Sequence, residues 1–380
     1  MVSEWSTPRL GDVCSKIGSG ATPKGGSSVY LEHGEFVLIR SQNVRNDAFD
    51  HNGLAFIEGH HAEKLANVAV EERDVLLNIT GDSVARCCQV DPDVLPARVN
   101  QHVAIVRPDP DSLDALYLRY YFVSPVMQNE MLSLAGVGAT RNALTKGMIE
   151  NFEIPLPPLS EQKAIAHILG TLDDKIELNR RMNATLEGMA QALFKSWFVG
   201  FDPVIDNALA AGNPIPDELA PRAEVRRQAL ANGTANREAA KLFPAAFQET
   251  KSTGWIPDGW ESATLGDYLE IKRGGSPRPI HDFLRPEGLP WVKIADATAS
   301  PSRFLFRTKE FIKPAGLKKT VLIKTGSLIL SNSATPGLPM FLELDACIHD
   351  GWLHFPQKKH FGDLYLYQLF LVIRDELVAQ

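Results

Sequence analysis

Cysteine is scarce in this 380-residue chain. Cys14, Cys87, Cys88 and Cys347 form no C-x-x-C pair and have no histidines nearby at zinc spacing. That argues against a disulfide-stapled scaffold or a zinc ribbon and predicts reduced thiols packed as small apolar groups. Positive charge is not in excess: 39 basic against 46 acidic side chains leave a net charge of −7, so bulk attraction alone would not hold a polyanion. No eighteen apolar residues run uninterrupted, and Met1-Val2-Ser3-Glu4-Trp5 carries neither a basic nor an apolar leader segment. The expectation is a soluble cytoplasmic protein with no membrane partner. Catalytic motifs are missing too. Gly18 to Gly26 lacks the Gly-Lys-Ser/Thr ending of a phosphate loop, and Asn213-Pro214-Ile215-Pro216 lacks the aromatic residue of an amino-methyltransferase motif. Glu161-Gln162-Lys163 has nuclease-like spacing without an upstream metal-binding aspartate, and the ten histidines, His60, His61 and His349 among them, form no metal or triad pattern.

What is present is a repeat. Trp5-Ser6-Thr7-Pro8-Arg9-Leu10-Gly11-Asp12 returns as Trp260-Glu261-Ser262-Ala263-Thr264-Leu265-Gly266-Asp267. Ile17-Gly18-Ser19-Gly20-Ala21-Thr22-Pro23 matches Ile271-Lys272-Arg273-Gly274-Gly275-Ser276-Pro277, a glycine-rich turn closed by proline in each copy. The β-rich runs Phe36 to Arg40 and Trp291 to Ile294 follow, then Asp74 to Gly81 aligned with Gly326 to Ser333, then Leu116 to Phe122 aligned with Leu364 to Phe370 as a short helix. The shared order argues for duplication, each copy being a module of short strands, turns and few helices. An apolar fraction of 44% suffices for more than one core.

Between the copies the composition turns helical. Pro155, Pro157 and Pro158 make a stiff lead-in, Ser160 is placed as an N-cap, and helix is expected to Trp197. Ile165, Ile168, Leu172, Met182, Leu186, Met189 and Leu193 recur in steps of three and four as one apolar stripe, with Asn179 on it. A buried Asn179 would fix the register of a partner helix; a twisting stripe would leave it wet. Such a helix would be about 57 Å long and needs a partner. Residues 201–254 read as an exposed connector with a short helix from Glu218 to Leu230.

These segments resemble the specificity subunits of type I restriction-modification enzymes. The resemblance rests on Pro155-Leu156-Pro157-Pro158-Leu159-Ser160-Glu161-Gln162-Lys163-Ala164-Ile165-Ala166, on Leu172-Asp173-Asp174-Lys175-Ile176, on Phe194-Lys195-Ser196-Trp197-Phe198, and on Trp260 to Asp267 as the opening of a second recognition domain. It implies an α+β chain: recognition domain 1 at 1–153, a long spacer helix kept by the family at 154–200, a connector at 201–254, and recognition domain 2 at 255–380. The second glycine-rich loop, second proline lead-in and second long helix of the family are not found before Gln380. Either the chain is truncated or another molecule satisfies the stripe. The resemblance implies double-stranded DNA, methyltransferase subunits and a restriction and translocase subunit as partners. It places S-adenosylmethionine, Mg2+ and ATP in those subunits and none in this chain, which would be a non-catalytic reader. A helix-mediated scaffold that does not bind DNA is the alternative.

Base readout needs directional donors and acceptors on loops that can enter a groove. In the first copy the candidates are Ser19, Thr22, Lys24, Arg40, Gln42, Asn43, Thr80, Arg86, Asn100 and Gln101, with Thr140, Arg141 and Asn142 before the helix. In the second they are Lys272, Arg273, Ser276, Arg278, Lys293, Ser331, Asn332, Ser333 and Thr335. Residues 255–330 hold 12 basic against 8 acidic side chains, a candidate phosphate-facing surface. For any one of these, a turn amide bonded to its own backbone competes with a base contact.

Overall fold

A computed structural model describes residues 5–46, 48–136 and 142–379. It divides into two compact units between Arg181 and Met182.

In the first unit the strands are β1 (Cys14–Ser19), β2 (Phe36–Ile39), β3 (Ala55–Ile57), β4 (Ala69–Val70), β5 (Val75–Asn78), β6 (Cys87–Gln89), β7 (Ala97–Val99) and β8 (Val103–Pro108). They form two sheets, ordered β1-β8-β5-β6 and β3-β2-β7-β4. The helices are α1 (Gly59–Lys64), α2 (Ala115–Val123), α3 (Pro125–Gly136), α4 (Lys146–Glu150) and the start of α5 (Leu159–Phe194). Val75 to Leu77 of β5 are apolar without alternation because both faces of the strand are covered. Val75 and Leu77 enter the core shared with α2 to α4, while Leu76 enters the core shared with the other sheet. On β8, Ala104 and Val106 divide from Val103 and Ile105 in the same way. Cys87 and Cys88 go to opposite cores, and burial raises the Cys87 thiol far above its ordinary value. Cys14 is pushed up to about 12 and Cys347 to about 11, mainly by burial, so these thiols stay protonated and inert near neutrality.

The second unit holds the rest of α5, a single turn of wider helix at Lys195–Val199, and α6 (Asp202–Ala211), α7 (Ala220–Ala231) and α8 (Arg237–Ala240). A hairpin of β9 (Phe247–Thr250) and β10 (Gly254–Pro257) leads to α9 (Leu265–Tyr268). The second module follows, with strands β11 (Leu269–Arg273), β12 (Leu284–Arg285), β13 (Leu289–Val292), β14 (Phe304–Leu305), β15 (Glu310–Ile312), β16 (Val321–Ile323), β17 (Leu328–Ser331), β18 (Pro339–Leu342), β19 (Ala346–Ile348) and β20 (Trp352–Lys358). Its helices are α10 (Ile294–Thr298), α11 (Asp363–Val372) and α12 (Arg374–Ala379). Sheet orders β11-β20-β17-β18-β14 and β12-β15-β13-β19-β16 repeat those of the first unit strand for strand, with β12 and β14 added at the edges. The parallel pair β2·β7 has its counterpart in β13·β19.

The hydrogen bonds correct the alignment of the copies. Asn78 lies opposite Val103 and Ser331 opposite Trp352. The amides of Gly20 and Gly274 bond the carbonyls of those same two partners. Asn78 therefore corresponds to Ser331, one residue later than the match of Asp74 to Gly326 implies. A slip of one residue exchanges the faces of a strand.

The long helix also differs from expectation. It begins at Leu159, because the carbonyl of Pro158 takes the amides of Glu161 and Gln162 at 2.8 and 3.0 Å, so Ser160 lies inside it. Its first turns are anchored: Gln162 and Ala166 are buried, Ile165 is half-buried, and Asp173 accepts from Arg119 and Tyr120, both at 2.8 Å. Ile168, Leu172, Ile176, Met182, Leu186, Met189 and Leu193 are exposed, and so is Asn179.

Residues 201–254 are a folded element and not a loose connector. Val204, Ile205 and Ala208 of α6 are buried. Arg222 and Arg226, four apart on α7, pair with Asp202 and Asp206, four apart on α6. That helix runs Ala220–Ala231 where Glu218 to Leu230 was expected. Asn207 ties α6 to the carbonyls of Ala240 and Phe243 at 2.7 and 2.9 Å. Around the end of α5, Phe198 meets Trp260, Phe243 and Tyr365 ring to ring at 6.3, 5.9 and 5.3 Å. The motif residues Phe198 and Trp260 thus fasten the helix end to its own unit.

Candidate nucleic-acid interface

In both modules the chain leaves its first strand, β1 or β11, through a glycine pressed against the end of a buried strand. A Cβ on Gly20 would lie 1.7 Å from the carbonyl oxygen of Val99, and one on Gly274 2.3 Å from that of His349. Only glycine allows that approach. It delivers a hydroxyl to the loop that follows the buried strand: Thr22 donates to Oε1 of Gln101, and Ser276 donates to Oδ1 of Asp350 at 2.7 Å. Each loop is pinned by its first residue. Asn100 Oδ1 accepts from the amide of His102 at 3.0 Å, and His349 Nδ1 accepts from the amide of Gly351 at 2.6 Å.

The other walls correspond as well. The turn after β5 brings Thr80 to His102 Nδ1 at 2.6 Å and passes through left-handed Gly81; its counterpart passes through left-handed Ala334. After β2, Arg40 and Gln42 donate to the carbonyl of Gly53, and after β13 Lys293 bonds Glu310. Each unit has a cavity here. The first, about 540 Å³, is lined by Gln42, Thr80, Arg86, His102 and Asn142 among others. The second, about 1080 Å³, is lined by Ser276, Arg278, Lys293, Glu310, Ser333 and His349 among others, with Trp291, Ile280 and Leu284 as apolar wall. At its rim Lys319 donates to the carbonyl of Arg278 at 3.3 Å and lies 5.0 Å from the Phe283 ring centre. Burial pulls the His349 ring below its ordinary value, and the Ser276 hydroxyl holds the Asp350 carboxyl below the usual carboxylate range. These are concave surfaces of mixed donors and acceptors, suited to base edges and phosphates.

A family model described as Type I restriction modification DNA specificity domain matches residues 2–188. The chain is 26% identical over 358 residues to the specificity subunit of type I restriction enzyme HindI from Haemophilus influenzae, covering 89% of this chain and 76% of that protein. The specificity subunit of the MjaIX enzyme from Methanocaldococcus jannaschii is 25% identical over 240 residues, covering 63% of this chain and 46% of that one. Residues 2–188 thus match a type I restriction-modification DNA specificity domain, and over most of its length the chain is similar to type I specificity subunits. A solved type I S subunit from M. genitalium aligns with 99% of the chain and 78% of its own length, at 12% identity and a TM-score of 0.48.

The sequence-derived candidates fall into groups. Thr22, Gln42, Thr80, Arg86, Gln101 and Asn142 gather at the first cavity or its hydroxyl network, and Ser276, Arg278, Lys293 and Ser333 line the second. Arg40 sits against the Tyr30 ring beside the first group. Ser19 and Lys24 are exposed on the way into the first loop. Arg273 donates to the carbonyl of Asp350, whereas Lys272 pairs with Glu270 on β11. Asn43, Asn100 and Ser331 are buried and their side chains serve the fold: Asn43 donates to the carbonyls of Asp50 and Asn52, and Ser331 donates to that of Thr335. Asn332 is half-buried with an unpartnered Oδ1. Thr335 lines a different cavity with Glu187 and Arg303. Thr140 and Arg141 lie outside the described residues. Sequence reasoning missed His102, Glu310, His349 and Asp350. A signal existed in Ala97-Arg98-Val99 and Ala346-Cys347-Ile348, each followed by two polar residues. Among the described residues no three His, Cys, Asp or Glu side chains cluster to hold a metal ion, and no helix is long and apolar enough to cross a membrane.

Proposed function

We propose that this chain reads a bipartite, asymmetric double-stranded DNA target, one half with each unit, and presents it to methyltransferase and restriction subunits. The reading rests on one observation: the same frame is built twice around different chemistry, with Thr22, Gln101 and His102 in one unit and Ser276, Asp350 and Gly351 in the other. Equal frames give equivalent approaches to a groove; unequal side chains select unequal sequences. The lysines and arginines around the cavities would hold phosphates, which makes affinity salt-dependent despite the net negative charge.

The exposed stripe from Ile168 to Leu193 serves as a docking face for a partner helix. Methyl transfer and cleavage are assigned to the partner subunits, with S-adenosylmethionine, Mg2+ and ATP bound there, in the cytoplasm. The test is to assemble the chain with its methyltransferase subunits and map methylated adenines across random DNA. A two-part, non-palindromic target with salt-dependent retention is expected. Methylation or retention without sequence preference overturns the reading.

A further inference from the structure

The correspondence of Gly20 with Gly274 pairs Thr22 with Ser276, Lys24 with Arg278, and Gln101 with Asp350. The first pair keeps its chemistry and the other two change together. In the second unit a carboxylate stands where the first has an amide, and the neighbouring cation is an arginine in place of lysine. Asp350 is fixed from three sides: Oδ1 accepts from Ser276 at 2.7 Å, its carbonyl accepts from Arg273, and its amide bonds back to the Ser276 hydroxyl at 3.4 Å. Its free oxygen, Oδ2, lies 3.5 Å from Nη2 of Arg278, whose side chain is 80% exposed at the cavity.

An exposed arginine samples many rotamers, and ordering it costs free energy on binding. A carboxylate anchored at one edge of the guanidinium narrows that ensemble and leaves the other edge directed outward. An unpaired acid facing phosphate-rich DNA would repel it, so Asp350 is tolerable there only with a cation beside it. The planar fork of arginine matches O6 and N7 of guanine in the major groove. Lys24, at the corresponding position of the first unit, lacks the fork, and the neutral Gln101 amide carries no charge to anchor it.

We propose that Arg278 reads a guanine in the half-site of the second unit and that Asp350 is its positioning residue. This rests on the DNA-reading function proposed above. The experiment uses the chain assembled with its methyltransferase subunits and maps methylation over a target library for wild type, Arg278→Ala, Arg278→Lys, Asp350→Asn and the double variant R278A/D350N. Asparagine at 350 still accepts from Ser276, so the loop is kept while the charge is lost. Arg278→Ala is expected to lose preference for guanine at one base pair by about tenfold. Arg278→Lys should lose the preference with less loss of overall binding. Asp350→Asn should weaken the preference at that same base pair, and the double variant should be no worse than Arg278→Ala. The other half-site, unchanged throughout, reports that each variant is folded. The proposal is overturned if Arg278→Ala weakens all sequences alike, if Asp350→Asn alters a different base pair, or if the two effects add in full. A wild-type complex with no sequence preference would instead remove the DNA-reading function itself.

Discussion

His349 and Asn100 occupy one place in the two modules and do one job: each accepts the amide of the residue two further on. The ring can accept at Nδ1 only while that nitrogen is unprotonated, and burial depresses its affinity for protons below the ordinary value of 6.5. His354 is shifted the same way, again chiefly by burial. Below pH 6.5 the unfolded chain therefore binds more protons than the folded one, and stability falls until the folded-state values are reached. Well above pH 6.5, where the rings are neutral in both states, these two groups add no pH dependence. His349→Asn should copy the first unit's solution, keeping an acceptor without a titration. Urea midpoints of the full chain across pH 5 to 8 should then show a shallower acid decline than wild type, the remainder coming from His354 and other groups. An unchanged decline would show that the His349 ring takes no part in it. The glycine frame and the Thr22 and Ser276 hydroxyls were legible in the sequence, because a close backbone approach leaves a glycine and a proline as its trace. Of the loop residues, Asn100 and Gln101 were legible, while His102, His349 and Asp350 were not. Histidine and asparagine share no letter though they share an acceptor, and the amides of Asn43 and Asn100 look the same on paper whether they cap a turn or face a groove.

Helix α5 was legible from its composition, but its attachment was not. Gln162 reads as an ordinary polar residue of a helical run. In the fold it is fully buried, donating to the carbonyls of Ser112 and Pro157 at 3.0 and 2.9 Å and accepting from the amide of Asp114 at 2.8 Å. Every hydrogen-bonding direction in use is met inside the protein, so a side chain without the amide strands three backbone groups. Gln162→Leu is expected to cost about 3 kcal/mol through those unmet groups, and Gln162→Glu more, since a carboxylate oxygen would face two carbonyls. Denaturant midpoints check both, and Lys163→Ala, one residue away and exposed, serves as the control that should barely move. The opposite error befell residues 201–254. Their charged, alanine-rich composition suggests a solvated linker, yet the spacing of Asp202 and Asp206 matches that of Arg222 and Arg226 and closes two helices on each other. A periodic match between segments twenty residues apart is invisible to any search for one apolar stripe.

Duplication is the property of the whole chain that its sequence stated most clearly, through Leu-Gly-Asp, the glycine turns and their common order. Register within the repeat was misread by one residue at β5 and β17. Both strands are buried throughout, and a run with no alternation carries no marker of which face is which. Between the modules the backbone of α5 is continuous from Leu159 to Phe194, and its middle, from 171 to 186, is exposed. A change made there alters neither core, only the helical path that joins the first unit to the second. If the helix sets the spacing of the two half-sites, four residues inserted after Asp174 would lengthen it by about 6 Å and turn the far side by about 40°. At 3.4 Å per base pair that is somewhat under two steps of DNA. The expected outcome is a methylation target whose unread gap has grown by one or two base pairs while both half-sites keep their bases. Altered half-site bases, or an unaltered gap, would separate spacing from the helix and leave the two readers to be positioned by something other than this chain.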